Sequence, residues 1–266
     1  MDISLKREHK PTAAHRISRH SGWLLPVSIL AGLGLWEALA RWGGLPVFIL
    51  PSPELFAQKL AQTLADGTLL RHTLVTLGEV LAGLMLGGNL AVLLGYLLSR
   101  SPLAEKLLSP YLVASQAVPV AAVAPLLIIW FPGVFAKVLI CALTVFFPVL
   151  VNTLVGMRAV PNDLRDLMRS LHATPTQMLR HLELPAALPV LLGGLRIGAT
   201  LSVIGAVVGE FVSSDRGLGF LINIGRGQYD TALVFVAIFA LMVMAMSLYG
   251  IVVLLEKRML KWRKAN

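Results

Sequence analysis

The strongest constraint on the fold of this chain is a series of long segments without any charged residue. Four segments lack Asp, Glu, Lys and Arg over 20 residues or more, and they span residues 80–99, 111–131, 138–157 and 231–255. An α-helix of about 20 apolar residues crosses the roughly 30 Å of hydrocarbon in a bilayer. Two further apolar segments contain charges: Glu37 lies in 22–40, and Arg196 and Glu210 lie in 187–212. The sequence therefore predicts an all-α, polytopic membrane protein with six transmembrane helices.

The composition of the 266 residues excludes several other classes of protein. Charged residues make up 14% and hydrophobic residues 56%, whereas about 25% of residues are charged in an average soluble domain. The mean hydropathy of +0.77 excludes a disordered chain and an ordinary soluble enzyme. The single cysteine, Cys141, excludes an intrachain disulfide, and we expect it to be a small buried side chain. The net charge of +9 does not indicate nucleic-acid binding, because the basic residues lie between apolar segments.

The distribution of Lys and Arg predicts the orientation in the membrane, since cytoplasmic segments are enriched in both. Sixteen of the 23 basic residues lie in the two terminal tails and in the second and fourth connections between spans. Both termini are therefore predicted to be cytoplasmic, which requires an even number of spans. The predicted organisation is a basic cytoplasmic tail (1–21), a transmembrane domain (22–256) and a second basic tail (257–266). We expect the first span to stay attached as a signal anchor; cleavage after it is the alternative.

The connection between the first two spans is predicted to contain an amphipathic helix on the outer membrane face. In Pro51-Ser52-Pro53, Ser52 suits the N-cap and Pro53 the first helical position. Apolar residues then recur at helical spacing, at Leu55, Phe56, Leu60 and Leu64.

The fourth connection, residues 158–186, is long and polar and is predicted to contain a docking helix. Within 163–171, four apolar residues share one helical face, namely Leu164, Leu167, Met168 and Leu171. Such a stripe outside the bilayer must be buried against another surface; packing against the chain's own loops is the alternative to docking on a partner. A capping box from Thr174 to Gln177 predicts a second short helix that ends near Leu182. The bend between the two helices falls at His172 and Ala173.

This connection resembles the cytoplasmic coupling loop of bacterial ABC importer permeases. The matching residues are Asp166 to His172, followed by the Leu184-Pro185 pair. The chain departs from the family pattern where Leu167 and Met168 replace two alanines and His172 replaces a glycine. Because histidine adopts positive φ less readily than glycine, we expect a stiffer hinge and a bulkier contact surface.

Further motifs narrow the resemblance to the permeases of nitrate, taurine and aliphatic sulfonate importers and to their relatives for vitamin precursors. They extend over roughly residues 35–262, and they include Trp36-Glu37, Leu50-Pro51-Ser52-Pro53, Ala117-Val118-Pro119, Trp130-Phe131, Gly194-Leu195-Arg196, Val208-Gly209-Glu210, Gly217-Leu218-Gly219 and Leu255-Glu256-Lys257-Arg258.

The resemblance implies an importer in the bacterial cytoplasmic (inner) membrane. Its partners would be ABC ATPase subunits, a second permease chain in a homodimer, and an extracytoplasmic substrate-binding protein. This chain would hold no cofactor, metal or catalytic residue, and ATP-Mg would be bound by the ATPase. The sequence has no phosphate-binding loop, in agreement with that division. By similarity, the residues that contact the ATPase would be Leu164, Asp166, Leu167, Met168, Leu171, His172 and Ala173.

Two charged residues of the fifth span are candidates for distinct roles. Arg196 and Glu210 lie 14 residues apart, about 21 Å along a helix, so they lie toward opposite ends of the span. We expect Arg196 to tie the cytoplasmic end to neighbouring helices and Glu210 to face the interior near the external mouth. The alternative is that each side chain snorkels to its own headgroup layer. Replacement of Glu210 by Gln is predicted to impair uptake without loss of assembly.

Other residues of the spans are candidates for helix packing and for the translocation pathway. Two GxxxG motifs, Gly194 with Gly198 and Gly205 with Gly209, allow close approach of helices and are predicted to lie near a dimer axis. Pro119 and Pro125 are predicted to kink the third span. The predicted pathway residues are Gln116, Pro119, Asn152 and Glu210; the other polar side chains in the spans are expected to bond to nearby backbone.

A permease without catalytic residues is the leading functional hypothesis. A six-span membrane enzyme or ion-coupled carrier is the alternative, but the sequence shows neither a cluster of catalytic residues nor evident paired charges within the spans. For the solute, residues 228–231 and the Tyr249-Gly250 pair resemble relatives that transport riboflavin or pyrimidine vitamin precursors. Aliphatic sulfonate, taurine or nitrate is the alternative.

Overall fold

The computed structural model describes residues 24–261, and within this range the regular structure is helical throughout. The helices are α1 (Leu24–Trp42), α2 (Pro53–Ala65), α3 (Thr68–Arg100), α4 (Pro102–Gln116), α5 (Val120–Trp130), α6 (Val134–Arg158), α7 (Asn162–Ser170), α8 (Pro175–Met178), α9 (Leu184–Val212), α10 (Leu218–Gly227) and α11 (Thr231–Met259), with a π-helical segment (Leu179–Glu183) between α8 and α9. The predicted N-terminal tail, the start of the first predicted span and the last residues of the C-terminal tail lie outside this range.

Four helical segments of the described chain are long and apolar enough to cross a membrane. They are Thr68–Arg100, Val134–Arg158, Pro175–Val212 and Thr231–Met259, and a fifth span results if α4 and α5 are counted together. The all-α membrane fold is therefore confirmed for these segments. The 19-residue α1 corresponds to the first predicted span. The total of six spans and the cytoplasmic location of both termini stay predictions.

The third predicted span differs from its prediction, because it is broken rather than kinked. Helix α4 ends at Gln116, α5 begins at Val120, and their axes are bent by 94°. A residue that precedes proline is disfavoured in the helical region, so Val118-Pro119 interrupts the helix. Pro119 itself is extended, with ψ 125°, and it forms the N-cap of α5. Pro125, the other predicted kink, lies inside α5.

The core of the bundle is built from α6, which packs between α3 and α9. Its apolar residues Ile140, Val145, Val149 and Leu150 are completely buried. The helices approach closely because small residues face α6 from both sides. On α3, a side chain added at Gly87 would collide with the backbone of Ala142.

Four of the five glycines of α9 also pack against α6. A Cβ atom added at each would lie within about 3 Å of one α6 residue: Asn152 for Gly194, Val145 for Gly198, Cys141 for Gly205 and Lys137 for Gly209. This face of α9 is therefore occupied within the same chain. These glycines therefore pack helices within the chain, and the location of α9 near a dimer axis stays a prediction.

The helix that begins at the capping box is longer than predicted. It does not end near Leu182 but continues through the π-helical segment into α9, so that Pro175–Val212 forms one span. A proline ring inside an α-helix clashes with the carbonyl four residues before it. The wider turn before Pro185 relieves this clash, and the amide of Leu184 donates to the carbonyl of Leu179, five residues earlier.

Helix α2 begins as predicted and joins the ends of α1, α3 and α11. The Ser52 hydroxyl accepts a hydrogen bond from the amide of Leu55 at 3.3 Å. The ring of Phe56 packs edge-on against Trp36 and Phe239. Lys59 forms an ion pair of 2.7 Å with Asp230, which caps α11. The position of α2 relative to a membrane stays a prediction.

Candidate functional site

The short helix α7 presents an exposed apolar face at the end of the bundle where α3 and α6 terminate. Leu164, Leu167 and Leu171 are 44%, 56% and 69% exposed, and Met168 is half-buried. Their spacing places the four residues on one side of the helix, as predicted from the sequence. Packing against the chain's own loops therefore does not bury this stripe among the described residues. It is a free apolar surface in a helix that is otherwise polar.

The bend after α7 is fixed by backbone hydrogen bonds. The amide of Ala173 donates to the carbonyl of Met168 at 3.0 Å, and that of His172 to Arg169 at 2.9 Å. This pair of bonds is a Schellman motif, which requires a left-handed residue after the helix. His172 adopts this conformation with φ 57°. The bend therefore forms without the glycine of the family pattern, at the steric cost that a side chain imposes there.

The predicted capping box after the bend is confirmed. The Thr174 hydroxyl accepts from the amide of Gln177, and the Gln177 side chain accepts from the amide of Thr174 at 2.8 Å. Caps on both sides of the bend thus hold α7 at a defined angle to the long helix that contains α9.

At the opposite end of the bundle, Glu210 anchors the start of α10. Its carboxylate is 1% exposed and accepts from the Gly219 amide at 2.5 Å and from the Thr76 hydroxyl at 2.7 Å. The Thr76 hydroxyl in turn accepts from the Leu218 amide at 2.8 Å. Glu210 lies in the interior of the chain, as expected, and the alternative that it snorkels to a headgroup layer is wrong. Its predicted role in the pathway stays a prediction.

A third side chain completes this anchor. The amide of Gly217 donates to Nδ1 of His72 at 2.9 Å, and the imidazole stacks on Phe220 with ring centres 5.8 Å apart. The first amides of a helix lack partners within the helix. In α10 they are satisfied by residues of α3 and α9, so this short helix is tied to two long ones.

A buried ion pair lies next to the anchor, and sequence reasoning missed it. Lys137 of α6 contacts the carboxylate of Glu79 of α3, and these residues are 4% and 2% exposed. Lys137 also donates to the Ser214 hydroxyl at 3.1 Å. The expectation that the spans contain no paired charges is therefore wrong. Both residues directly precede a charge-free segment, and the sequence pattern places them at its boundary.

A polar cavity of about 640 Å³ opens beside this pair. Lys137 and Glu210 line it together with the loop between α9 and α10, which contributes Ser213, Ser214 and Arg216. The anchor of α10 therefore forms one wall of a water-accessible space.

Arg196 makes the contacts with a neighbouring helix that were expected of it, and their location at the cytoplasmic end stays a prediction. Its guanidinium forms an ion pair with Glu256 of α11 and lies over the ring of Tyr249, 5.5 Å from its centre. These contacts tie α9 to α11.

The other predicted pathway residues lie on different elements. Gln116 is exposed at the end of α4, next to Pro119 in the break. Asn152 lies in the contact between α6 and α9, where its amide donates to the carbonyl of Pro148 at 2.8 Å. As expected, most other polar side chains of the spans bond to nearby backbone; Asn89, Ser115, Thr144 and Thr153 all do so. Within the described range, no group of three His, Cys, Asp or Glu residues is placed to hold a metal ion.

Comparison with known proteins identifies the family. Residues 81–261 match the family described as "Binding-protein-dependent transport system inner membrane component". The chain belongs to this family. It is therefore a membrane permease, which decides against the carrier hypothesis despite the buried ion pair.

Three relatives are similar over most of their length. The permease is 47% identical to the riboflavin transport system permease protein RibX of Chloroflexus aurantiacus over 90% of this chain and 89% of the relative. It is 36% identical to the formylaminopyrimidine transport permease protein ThiX of Halalkalibacterium halodurans, over 86% and 92%. It is 34% identical to a putative aliphatic sulfonates transport permease protein, SsuC, of Bacillus subtilis, over 92% and 88%.

Proposed function

We propose that this chain is the membrane subunit of an ATP-driven importer and that α7 is its contact with the ATPase. The observation that carries the proposal is the exposed face of Leu164, Leu167 and Leu171, on a helix whose C-terminal bend is capped on both sides. An apolar stripe on a polar helix outside the bilayer is stable only when another surface covers it. Met168 belongs to the same face, and Asp166, His172 and Ala173 border it and complete the contact.

In this proposal, the solute pathway passes the break between α4 and α5. Backbone without helical structure is not tolerated against lipid, so within a bilayer it must face protein or water. Residues 115–119 are exposed in the single chain, and Ser115 and Gln116 add polar groups there. A second permease chain opposite the break provides a water-filled space between the two copies. Gln116 and Pro119 line this space, and Asn152 and Glu210 are further candidates.

The proposed solute is riboflavin or a pyrimidine precursor of a vitamin. The similarity to a riboflavin permease, at 47% identity, supports a flavin, and the similarity to a formylaminopyrimidine permease, at 36%, supports a related heterocycle. Aliphatic sulfonate or taurine is the second candidate, supported by relatives at 34% and 29% identity. An extracytoplasmic binding protein delivers the solute, and both chain termini lie in the cytoplasm.

Uptake into vesicles tests the proposed function and the solute together. The permease is reconstituted with its ATPase and binding protein, and uptake of labelled riboflavin is measured with ATP inside the vesicles. We expect uptake that requires ATP and that unlabelled formylaminopyrimidine or riboflavin reduces. ATP-dependent uptake of labelled taurine or an alkanesulfonate, with none of riboflavin, would favour the second candidate. Uptake driven by an ion gradient without ATP would contradict the importer.

A further inference from the structure

A buried carboxylate lies where α7, α3 and the base of α9 meet. Glu183 is 2% exposed, and it is the last residue of the π-helical segment. Its Oε2 atom lies 2.6 Å from an Nη2 of Arg100, at the end of α3. Its Oε1 atom lies 3.6 Å from Nε of Arg165, in α7. One carboxylate thus connects two cations from different helices.

Both arginines have a second contact that fixes their direction. Arg165 also donates from Nη2 to the carbonyl of Met157 at 2.7 Å, in the last turn of α6. Carbonyls at a helix end lack partners within the helix, and a cation is favoured there. Arg100 donates to the hydroxyl of Tyr96 at 2.9 Å and lies over its ring. Through the two arginines, Glu183 therefore connects the ends of α3 and α6, helix α7 and the start of α9.

The backbone at Glu183 is unusual as well. π-helical turns are rare and cluster at functional sites. Here the turn lets one helix run from the bend after α7 through Pro185 into the bilayer. From Pro175 to Glu183 the chain is therefore continuous helix, and Glu183 is the buried charged residue of this stretch.

We propose that Glu183 is the positioning residue that makes α7, the end of α3 and the base of α9 move as one unit. The inference rests on the proposed function, in which an ATPase moves α7. Without Glu183, the bend at His172 and the Arg165 contact with Met157 would still guide α7, but its link to Arg100 would be lost. With Glu183, displacement of α7 is passed directly to α3 and α9, which pack on α6.

The test uses the full permease in complex with its ATPase subunit. Spin labels are attached at Ser170→Cys in α7 and Leu97→Cys in α3, both exposed positions; Cys141 is buried and stays unlabelled. The label distance is measured without nucleotide and after trapping with ATP, Mg²⁺ and vanadate. In the parent chain we expect the same distance in both states. In Glu183→Gln we expect the distance to shift or broaden on trapping, while ATP hydrolysis per complex persists.

Two further variants separate positioning from general stability. Glu183→Asp keeps the charge, and we expect it to restore the parent distance. Glu105→Gln removes another charged pair at the same end, between α4 and Arg158 of α6. It leaves the pairs of Glu183 in place, and we expect no change in the distance. If Glu183→Gln does not accumulate, Arg165→Gln takes its place, since it releases α7 and leaves the Arg100 pair intact.

The outcomes distinguish this inference from the proposed function. A parent complex in which the distance changes on trapping, or a Glu183→Gln complex identical to the parent, would overturn the inference alone. Failure of the parent chain to bind any ATPase would overturn the proposed function and the inference with it.

Discussion

At the scale of single residues, the anchor of α10 depends on hydroxyl and carboxyl groups that each serve two partners. The Thr76 hydroxyl donates to Glu210 and accepts from the Leu218 amide, so its two hydrogen bonds link α3 with α9 and α10. Thr76, Glu210 and Leu218 are each at most 1% exposed. Loss of the hydroxyl would leave one donor and one acceptor unsatisfied.

Thr76→Val removes this hydroxyl at nearly constant volume. We expect a loss of about 1–3 kcal/mol in stability, the cost of unsatisfied buried polar groups. The melting temperature of the purified permease measures the loss. Thr76→Ser is the matched control, because it keeps the hydroxyl, and it should lie close to the parent. Equal melting temperatures for the Val and Ser variants would show that these hydrogen bonds contribute nothing to stability.

Glu210→Gln tests the same anchor through transport. We expect uptake to fall while the permease still assembles, because an amide places a donor where the carboxylate accepts from Gly219 and Thr76. Uptake in vesicles and the amount of ATPase bound are measured on the same preparation. Unchanged uptake would remove Glu210 from the transport mechanism.

Individual residues also show where prediction from the sequence fails. Glu79 and Lys137 each precede a charge-free segment by one residue, and hydropathy treats such charges as boundaries with water. Their burial depends on α3 and α6 lying side by side, which no local pattern encodes. The bend at His172, by contrast, is predictable, since helix periodicity ends there and a capping box follows.

At the scale of elements, contact between α6 and α9 depends on glycines that have no room for a side chain. A Cβ at Gly205 would lie 2.8 Å from Cα of Cys141 and 2.9 Å from Oγ1 of Thr144. At Gly193, on the same helix, an added Cβ would have no atom within 4 Å. The periodicity of GxxxG predicts close packing, but it does not say which helix is the partner.

Gly205→Ala and Gly193→Ala form a matched pair for this contact. We expect Gly205→Ala to destabilise the permease by about 1–3 kcal/mol through overpacking. Gly193→Ala should be neutral or slightly stabilising, because alanine favours helix. Thermal unfolding of the two variants is measured in the same detergent. Equal melting temperatures would contradict the packing described for α9.

His172→Gly tests the cost of the bend after α7. Glycine adopts the left-handed conformation without steric cost, so we expect a gain of up to about 1 kcal/mol. His172→Val should lose stability, because a β-branched residue is strongly disfavoured there. Hydrogen exchange at the amides of His172 and Ala173 reports on the bend directly. Equal protection in all three chains would show that the bend carries no such cost.

At the scale of the whole molecule, the two ends of the bundle differ in construction. One end carries α7 with its exposed apolar stripe and the charged contacts of Glu183. The other holds α10 through buried hydrogen bonds beside a polar cavity. The α3–α6–α9 core connects them through tightly packed small residues. This division fits an importer in which an ATPase acts at one end and a solute enters at the other.

The membrane class and most span positions are predictable from the sequence, because apolar length alone identifies a transmembrane helix. The bend angle between α4 and α5 is larger than that of the predicted kink. A proline predicts that a helix is interrupted, but it does not predict the angle. The fifth span begins earlier than its apolar segment, because hydropathy ignores the polar turns of a continuous helix. Contacts between distant helices, such as Glu183 with Arg100, have no sequence signal at all.

The most direct test of the importer is recovery of its ATPase from native membranes. The parent chain is purified in gentle detergent, next to a variant with Leu164, Leu167 and Leu171 replaced by serine, and bound proteins are identified by mass spectrometry. Leu64→Ser in α2, an equally exposed leucine at 55%, is the control at the other end. We predict that the parent and the control retain an ATPase with a phosphate-binding loop and that the triple variant loses it. Absence of an ATPase from the parent, or undiminished binding by the triple variant, would contradict the proposed role of α7.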